Sequence, residues 1–323
     1  MKTAIISLSD TTYFHLLEEL IDSVRSFPQS KNIDLCILDA GMQLDQLNKI
    51  ENKVTKIKKA EWDIPVSDFK IKGREWLKSQ VSRAFLPNYF PGYDKYIWID
   101  CDAWVNSWVA IDLLCRACDK NKLGISSMSD RHTGRVLRVN WLFKNLGFIK
   151  SQNYKHAKSS GFSTDVSRHV GIQPHLNIGV FSLEGTSNTW KVWQKNLEKA
   201  LSKGRIFGSE QVAMNISVYI NNVEIDILPY YCNWIPIPGN TKFNIQSGKF
   251  VEGYTPNHEI GIMHLAGGVI VDKQDMRFNK QVTTPIQTLD GEIINKSFRL
   301  NKLAAIFNLL PVFNMFNFIN ITN

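Results

Sequence analysis

Asp94-Lys95-Tyr96-Ile97-Trp98-Ile99-Asp100-Cys101-Asp102-Ala103-Trp104-Val105 is the stretch on which the reading of this 323-residue chain turns. Tyr96 to Ile99 is a short apolar, β-rich run with a polar entry, the pattern of a strand buried on both faces. It ends in two carboxylates one residue apart. On a regular strand Asp100 and Asp102 point to opposite faces, so the chain must turn for both to reach one centre. The carboxyl end of a sheet strand allows this, and open α/β sheets bind ligands there. Two hard oxygen donors at such an edge suit Mg²⁺ or Mn²⁺ shared with a substrate diphosphate. An Asp-rich turn, with Asp102 accepting backbone N–H bonds, is the plainer alternative.

Working outward, the upstream segments alternate. Ala4–Leu8 reads as a strand, followed by the turn Ser9–Thr12, which supplies cap candidates for a helix with Tyr13, Leu16, Leu17, Leu20, Ile21 and Val24 on one face. Ile33–Leu38, a helix marked by Leu44, Leu47 and Ile50, and a short strand at Val54–Ile57 continue the pattern. Such β-α-β-α alternation predicts a mostly parallel sheet with helices on both faces. The first strand-to-helix turn has no G-x-G-x-x-G, and no Walker A sequence occurs, which disfavours dinucleotide dehydrogenases and P-loop enzymes. Arg74–Leu86 is periodic enough for one helix stopped by Pro87. Arg83 lies on it, either an ordinary surface arginine or a contact to phosphate or sugar.

Downstream, a helix through Leu113 and Leu114 precedes a strand at Leu123–Ser127. Residues 131–169 read as an irregular insert holding eight Lys or Arg against one acid, Asp165, and three of the seven histidines. It is a solvated basic loop, or else a flap over an anionic donor or a surface leaning toward acidic lipid. A strand from Pro174 to Leu183 carries Asn177 and Gly179 in its middle, and glycine inside a strand marks close approach of another group. A helix with Trp190, Trp193 and Leu197 follows. Ser209 is a cap candidate for a helix whose first turn holds Glu210 and Gln211, positions at which capping is the ordinary role. Val223–Leu228 is a strand, Cys232-Asn233-Trp234 lies in an irregular aromatic segment, and Gly261–Gly268 is a short strand containing His264.

Composition narrows the partners. Net charge +8 and 44% hydrophobic residues describe a packed protein with an anionic partner. No nucleic-acid-reading signature is present. Five scattered cysteines, including the lone pair Cys115 and Cys118, read as free thiols in a reducing compartment. The N-terminal apolar run is too short for a signal peptide, so a cytoplasmic protein is expected. Residues 286–323 form an expected C-terminal tail after a catalytic domain at 1–285. It is interrupted by Asn308, Pro311, Asn314, Asn317 and Asn320 and lacks the ~20 apolar residues of a spanning helix. It either lies at the membrane interface, as a peripheral anchor on an acidic surface, or docks on the core.

Taken in order, Ser9 to Tyr13, Arg83, Asp100-Cys101-Asp102, Leu176 to Val180, Glu210-Gln211, Asn233, and His264 with Gly267 resemble glycosyltransferase family 8 and its GT-A-fold relatives. The resemblance implies a retaining hexosyltransferase that uses a UDP-sugar and a divalent metal, usually Mn²⁺. It places Asp100, Asp102 and His264 on the metal and Ser9, Asp10 and Tyr13 on the nucleoside side. It places Arg83 on the diphosphate or sugar, and Asn177 and Gly179 along the donor sugar. Glu210 stands where the family has Asp, and Gln211 matches the Gln near the anomeric carbon. The His-x-x-Gly-x-x-Lys-Pro-Trp signature is half kept: Ile270 occupies the Lys place, and Lys273 is the substitute candidate. The acceptor implied is a saccharide or glycolipid of a surface glycan, such as lipopolysaccharide. A non-catalytic GT-A-like glycan- or membrane-binding protein is one rival. A sugar-phosphate nucleotidylyltransferase is the other, disfavoured by the missing Gly-rich turn.

Overall fold

A computed structural model describes residues 1–128, 137–236, 239–266 and 282–300. Seven strands form the main sheet, in the order β10-β6-β9-β4-β1-β2-β3. They are β1 (Thr3–Ser9), β2 (Asp34–Asp39), β3 (Lys56–Lys59), β4 (Lys95–Ile99), β6 (Leu123–Ser127), β9 (Leu176–Glu184) and β10 (Ile225–Leu228). All of β1 and β4 is buried. Their side chains alternate between two cores: Ala4, Ile6, Tyr96 and Trp98 pack on one face, and Ile5, Ile97 and Ile99 on the other. Helices on both faces explain why these strands read as continuous apolar runs.

The sheet is mostly parallel, as expected, with one reversal. β9 runs antiparallel to both β4 and β6. That reversal positions the site. The start of β9 lies at the edge where β4 and β6 end, so Val180 pairs with Ile99 and Asn177 with Ser126. A second pairing completes the edge. After the turn at Asp100, β5 (Ala103–Val105) runs antiparallel to β13 (Ile262–His264), with His264 opposite Ala103.

On the faces lie α1 (Phe14–Arg25), α2 (Leu44–Glu51), α6 (Val109–Ala117), α9 (Thr189–Lys203) and α10 (Ser209–Tyr219). The continuous helix expected over 74–86 is instead a chain of short turns. After α3 (Asp68–Ile71) come a 3-10 turn at Glu75–Lys78, α4 (Ser79–Ser82), a second 3-10 turn at Arg83–Phe85, and α5 (Leu86–Tyr89). Pro87 does not stop this segment; it sits in the first turn of α5. Having no N–H to give the carbonyl of Arg83, it interrupts the hydrogen-bond ladder there.

The insert is more regular than its composition indicates. It contains the hairpin β7 (Leu137–Leu142) and β8 (Asn145–Ser151), then α7 (Gln152–Ser159) and α8 (Thr164–Gly171), capped by Ser151 and Ser163. A second sheet, β12-β11-β14-β15, comprises β11 (Thr241–Asn244), β12 (Lys249–Glu252), β14 (Thr284–Thr288) and β15 (Ile293–Lys296). The expected tail boundary at residue 286 therefore falls inside β14. Residues up to Leu300 pack on the core: Phe298 and Leu300 are buried, and Arg299 Nε donates to Glu19 of α1 at 3.2 Å. Residues 301–323, Gly267 and Lys273 lie outside the described residues. Among the described residues no helix is long and apolar enough to cross a membrane.

Candidate metal and donor site

Asp100, the turn Cys101-Asp102 and His264 come together where β4 ends and β5 meets β13. One ligand atom from each of Asp100, Asp102 and His264 lies within 4.8 Å of the others. The turn that brings both carboxylates to one centre is closed by Ala103 N–H donating to the Asp100 carbonyl at 3.0 Å. His264 Nε2 stands 3.3 Å from Asp102 Oδ1 and 3.8 Å from Asp100 Oδ2.

Neighbouring side chains aim each ligand. Asp100 Oδ1 accepts from Trp98 Nε1 at 2.7 Å and pairs with Arg83 Nη2 at 2.6 Å. Its Oδ2 is therefore the oxygen left for the centre. Asn233 Nδ2 donates to the Asn177 carbonyl at 3.4 Å, so its Oδ1 is the acceptor for His264 Nδ1 at 2.8 Å. The Nδ1 proton then leaves Nε2 as the ligand atom, the usual way a second residue orients a metal-binding imidazole. Gly179 supplies the space: a Cβ there would stand 2.3 Å from His264 Cε1 and 3.0 Å from Asp100 Oδ2. The close approach expected at this glycine is that of the two ligands themselves.

Charge is unevenly distributed here. Burial pushes the Asp100 carboxyl above its ordinary value, with Arg83 opposing. Asp102 is half-buried and its desolvation acts the same way, but His264 holds it below. For His264, burial works against the charged form, yet the carboxylates of Asp102 and Asp100 outweigh it and raise the pKa. A proton on this ring balances the two acids, as a cation would. Two carboxylates and one imidazole are a donor set for Mn²⁺ or Mg²⁺ with positions left for phosphate oxygens, so the residues fit the implied ion.

A cleft of about 680 Å³ opens over this trio. Ser9, Asp10 and Tyr13 line it from the β1–α1 turn, and Asn177, Gly179, Glu210 and Gln211 from the other side. Asn233 lies beneath, against His264. The Ser9–Thr12 segment does not cap α1 through the N-cap side chain: that position is Tyr13, without a side-chain bond. Asp10 Oδ1 instead accepts from Thr12 and Tyr13 N–H, each at 3.0 Å. At α10 the N-cap is Gly208, with φ of 81° in the left-handed region, and Ser209 Oγ donates to the Ile206 carbonyl.

Arg83 and Glu210 are not surface groups. Arg83 is buried over the Trp98 ring, 4.9 Å from its centroid, with Nη1 3.5 Å from Glu210 Oε1. Burial pushes Glu210 up to about 7, against the pull of Arg83. Its Oε2 is buried without a partner. Gln211 is held by the β9 backbone, accepting from Ile178 N–H at 3.3 Å and donating to the Leu176 carbonyl. Trp98, Trp76, Gln152, His156, His175 and Phe207 also belong to the site's walls. Trp98 was readable in principle, since it shares a strand face with Asp100. His156 is visible in the sequence only as part of a His-rich insert, and His175 only as a residue at the start of the strand from Pro174.

Residues 4–122 match the model of Glycosyl transferase family 8. No curated protein is similar enough in sequence to count as a match. Among solved structures, the WbbM bifunctional glycosyltransferase has a TM-score of 0.51 at 15% identity, over 82% of this chain and 46% of that one. The chain thus spans about half the length of WbbM. Galactosyltransferase LgtC with donor and acceptor sugar analogs is similar at a TM-score of 0.47 and 13% identity, over 86% of this chain and 96% of LgtC. Core-mannan synthase A from Aspergillus fumigatus, in an Mn/GDP form, reaches 0.46 at 9% identity, over 73% and 75%. The chain is therefore glycosyltransferase family 8-like, in sequence over its first third and in GT-A fold over most of its length.

Proposed function

We propose that this protein is a metal-dependent glycosyltransferase that moves a hexose from a UDP-sugar to a saccharide or glycolipid acceptor of a surface glycan, with retention. The observation that carries the reading is the convergence of Asp100 Oδ2, Asp102 and His264 Nε2 on one point, with Asn233 fixing the tautomer. When bound, Mn²⁺ or Mg²⁺ acts as a Lewis acid that offsets charge on the departing diphosphate. The chain's own groups do the rest. Ser9, Asp10 and Tyr13 receive the nucleoside. Asn177 and Gly179 line the cleft where the donor sugar would lie, and Glu210 offers its unpartnered Oε2 to a sugar hydroxyl. Arg83 holds Asp100 and Glu210 in place. Both polar atoms of the Gln211 side chain are tied to β9, which makes it a positioning residue here and favours same-face attack over a covalent glutamine intermediate. Lys273 and Gly267 remain candidates for the diphosphate, and the tail for a peripheral contact with acidic lipid on the cytoplasmic side.

UDP-sugar hydrolysis with and without Mn²⁺ tests this. Asp102→Asn and His264→Ala are each expected to lower the metal-dependent rate by about 100-fold or more with the fold retained. A rate indifferent to chelation and to both substitutions contradicts the reading and returns the chain to the non-catalytic alternative. Hydrolysis yielding sugar 1-phosphate and UMP would point to nucleotidyl chemistry instead.

A further inference from the structure

The insert ends in an uncovered apolar tip. Among the described residues Phe143, at 89%, is the most exposed large apolar side chain after the N-terminal Met1, and Leu142 beside it is 60% exposed. Phe143 and Lys144 form the two-residue loop between β7 and β8, and both have positive φ, 46° and 67°. A hairpin loop of that shape favours Asn-Gly, because a Cβ is strained in the left-handed region. A Phe and a Lys there weaken the turn and leave an aromatic ring in water. Among the described residues β7 and β8 pair only with each other, so no neighbouring strand covers the tip.

The rest of the insert is basic. Residues 137–173 hold six Lys or Arg and one acid, Asp165. Lys144 at the tip, Lys155 and Lys158 on α7, and Arg168 on α8 are exposed. Asp165 offsets little of this charge: it stands 3.9 Å from Arg168, with both side chains mostly in solvent. Tyr154 and Lys155 lie four and three residues before Lys158, on one face of α7. Ile172, just after α8, adds another apolar group at 74% exposure.

We propose that this insert is a bilayer-contact surface: Leu142 and Phe143 enter the headgroup–acyl boundary, and Lys144, Lys155, Lys158 and Arg168 meet anionic lipid headgroups. The apolar tip gains by leaving water, and each basic residue gains by nearing the negative surface. A bilayer supplies an apolar layer beneath a layer of negative charge, which fits an apolar tip with cations spread over two helices. A second copy of this chain, at net charge +8, does not supply the acid. α7 also reaches the cleft, through Gln152 and His156, so a chain seated in this way holds its cleft beside the bilayer. Lipid contact through the insert stands apart from the transferase reading, since vesicle binding is read without nucleotide.

The test is flotation of the full chain with vesicles of phosphatidylcholine alone and of phosphatidylcholine with about 30% phosphatidylglycerol. Binding is expected to the anionic vesicles and not to the neutral ones, and to weaken in high salt. The double variant Phe143→Asn with Lys144→Gly gives the turn the residues it favours, so its Tm is expected to be unchanged or higher. Its vesicle binding is expected to fall at least about tenfold. Lys155→Ala and Lys158→Ala are each expected to weaken binding about fivefold. Amide hydrogen exchange with anionic vesicles present is expected to slow in residues 137–151. Slowing confined to residues 301–323 assigns the contact to the tail and overturns the proposal. Equal binding to neutral vesicles, binding to neither, or unchanged binding in the double variant overturns it as well. A dimer in sedimentation equilibrium that the double variant abolishes, with no vesicle binding, makes a second copy the occupant and has the same consequence.

Discussion

Gly179 and Glu210 show how individual residues set this site. Gly179 is conformationally ordinary, and its value is the absent Cβ, since His264 and Asp100 occupy that volume. Gly179→Ala must push at least one ligand off the centre. It is expected to weaken Mn²⁺ binding by about 10- to 100-fold, the cost usual for disturbing a ligand's support, while leaving the Tm within a few degrees; a manganese EPR titration reads it. Glu210 makes a different prediction. Its folded pKa is raised from 4.5 to about 7, so the folded chain keeps a proton that the unfolded chain has released. Its contribution to stability is present below pH 4.5 and lost as pH rises through 7. Relative to Glu210→Gln, wild type is therefore expected to lose on the order of 1–3 kcal/mol between pH 5 and 8, measured by urea unfolding at each pH. A difference constant with pH contradicts the assignment. The sequence shows Asp100 and Asp102 as a spaced pair, and His264 only through the family resemblance. It does not show that Trp98 and Arg83 consume Asp100 Oδ1, or that Asn233 chooses the His264 tautomer. Those facts depend on contacts between segments up to 56 residues apart.

At the level of elements, buried strands were legible and short turns were not. β1, β2 and β4 announce themselves because burial on both faces demands an unbroken apolar run. The 74–86 segment carries a helical pattern of apolar residues, yet a missing N–H at Pro87 breaks its ladder. The insert was read as irregular because polar composition masks a hairpin and two capped helices. The expected boundary at residue 286 falls inside β14 because the strand after it, Ile293–Lys296, is only four residues long and takes its place in the sheet by pairing with β14. Arg299 then locks that end to α1 by a buried pair with Glu19. Arg299→Ala breaks this buried pair, and is expected to cost about 3–5 kcal/mol in urea unfolding. A loss below about 1 kcal/mol would mean that the C-terminal segment is not held there.

For the whole molecule, the informative departure is the one antiparallel strand of the main sheet. In a wholly parallel sheet the start of β9, with Asn177 and Gly179, would lie at the opposite edge, where β4 begins. Reversed β9 instead brings them in at the edge, beside Asp100, whose N–H donates to the Gly179 carbonyl at 2.8 Å. β13 delivers His264 to the same edge from residue 264, so the site closes only when distant parts of the chain have folded together. Ligand linkage should follow: UDP with Mn²⁺ at about 100 times Kd is expected to add about 2.7 kcal/mol, raising the Tm by several degrees in wild type and not in Asp102→Asn. The most direct measurement is anomalous diffraction at the manganese edge from crystals soaked with UDP and Mn²⁺. The account predicts one peak within coordination distance of Asp100 Oδ2, Asp102 and His264 Nε2, with the diphosphate against it. A peak elsewhere, or His264 turned from both carboxylates while UDP is bound, would contradict it.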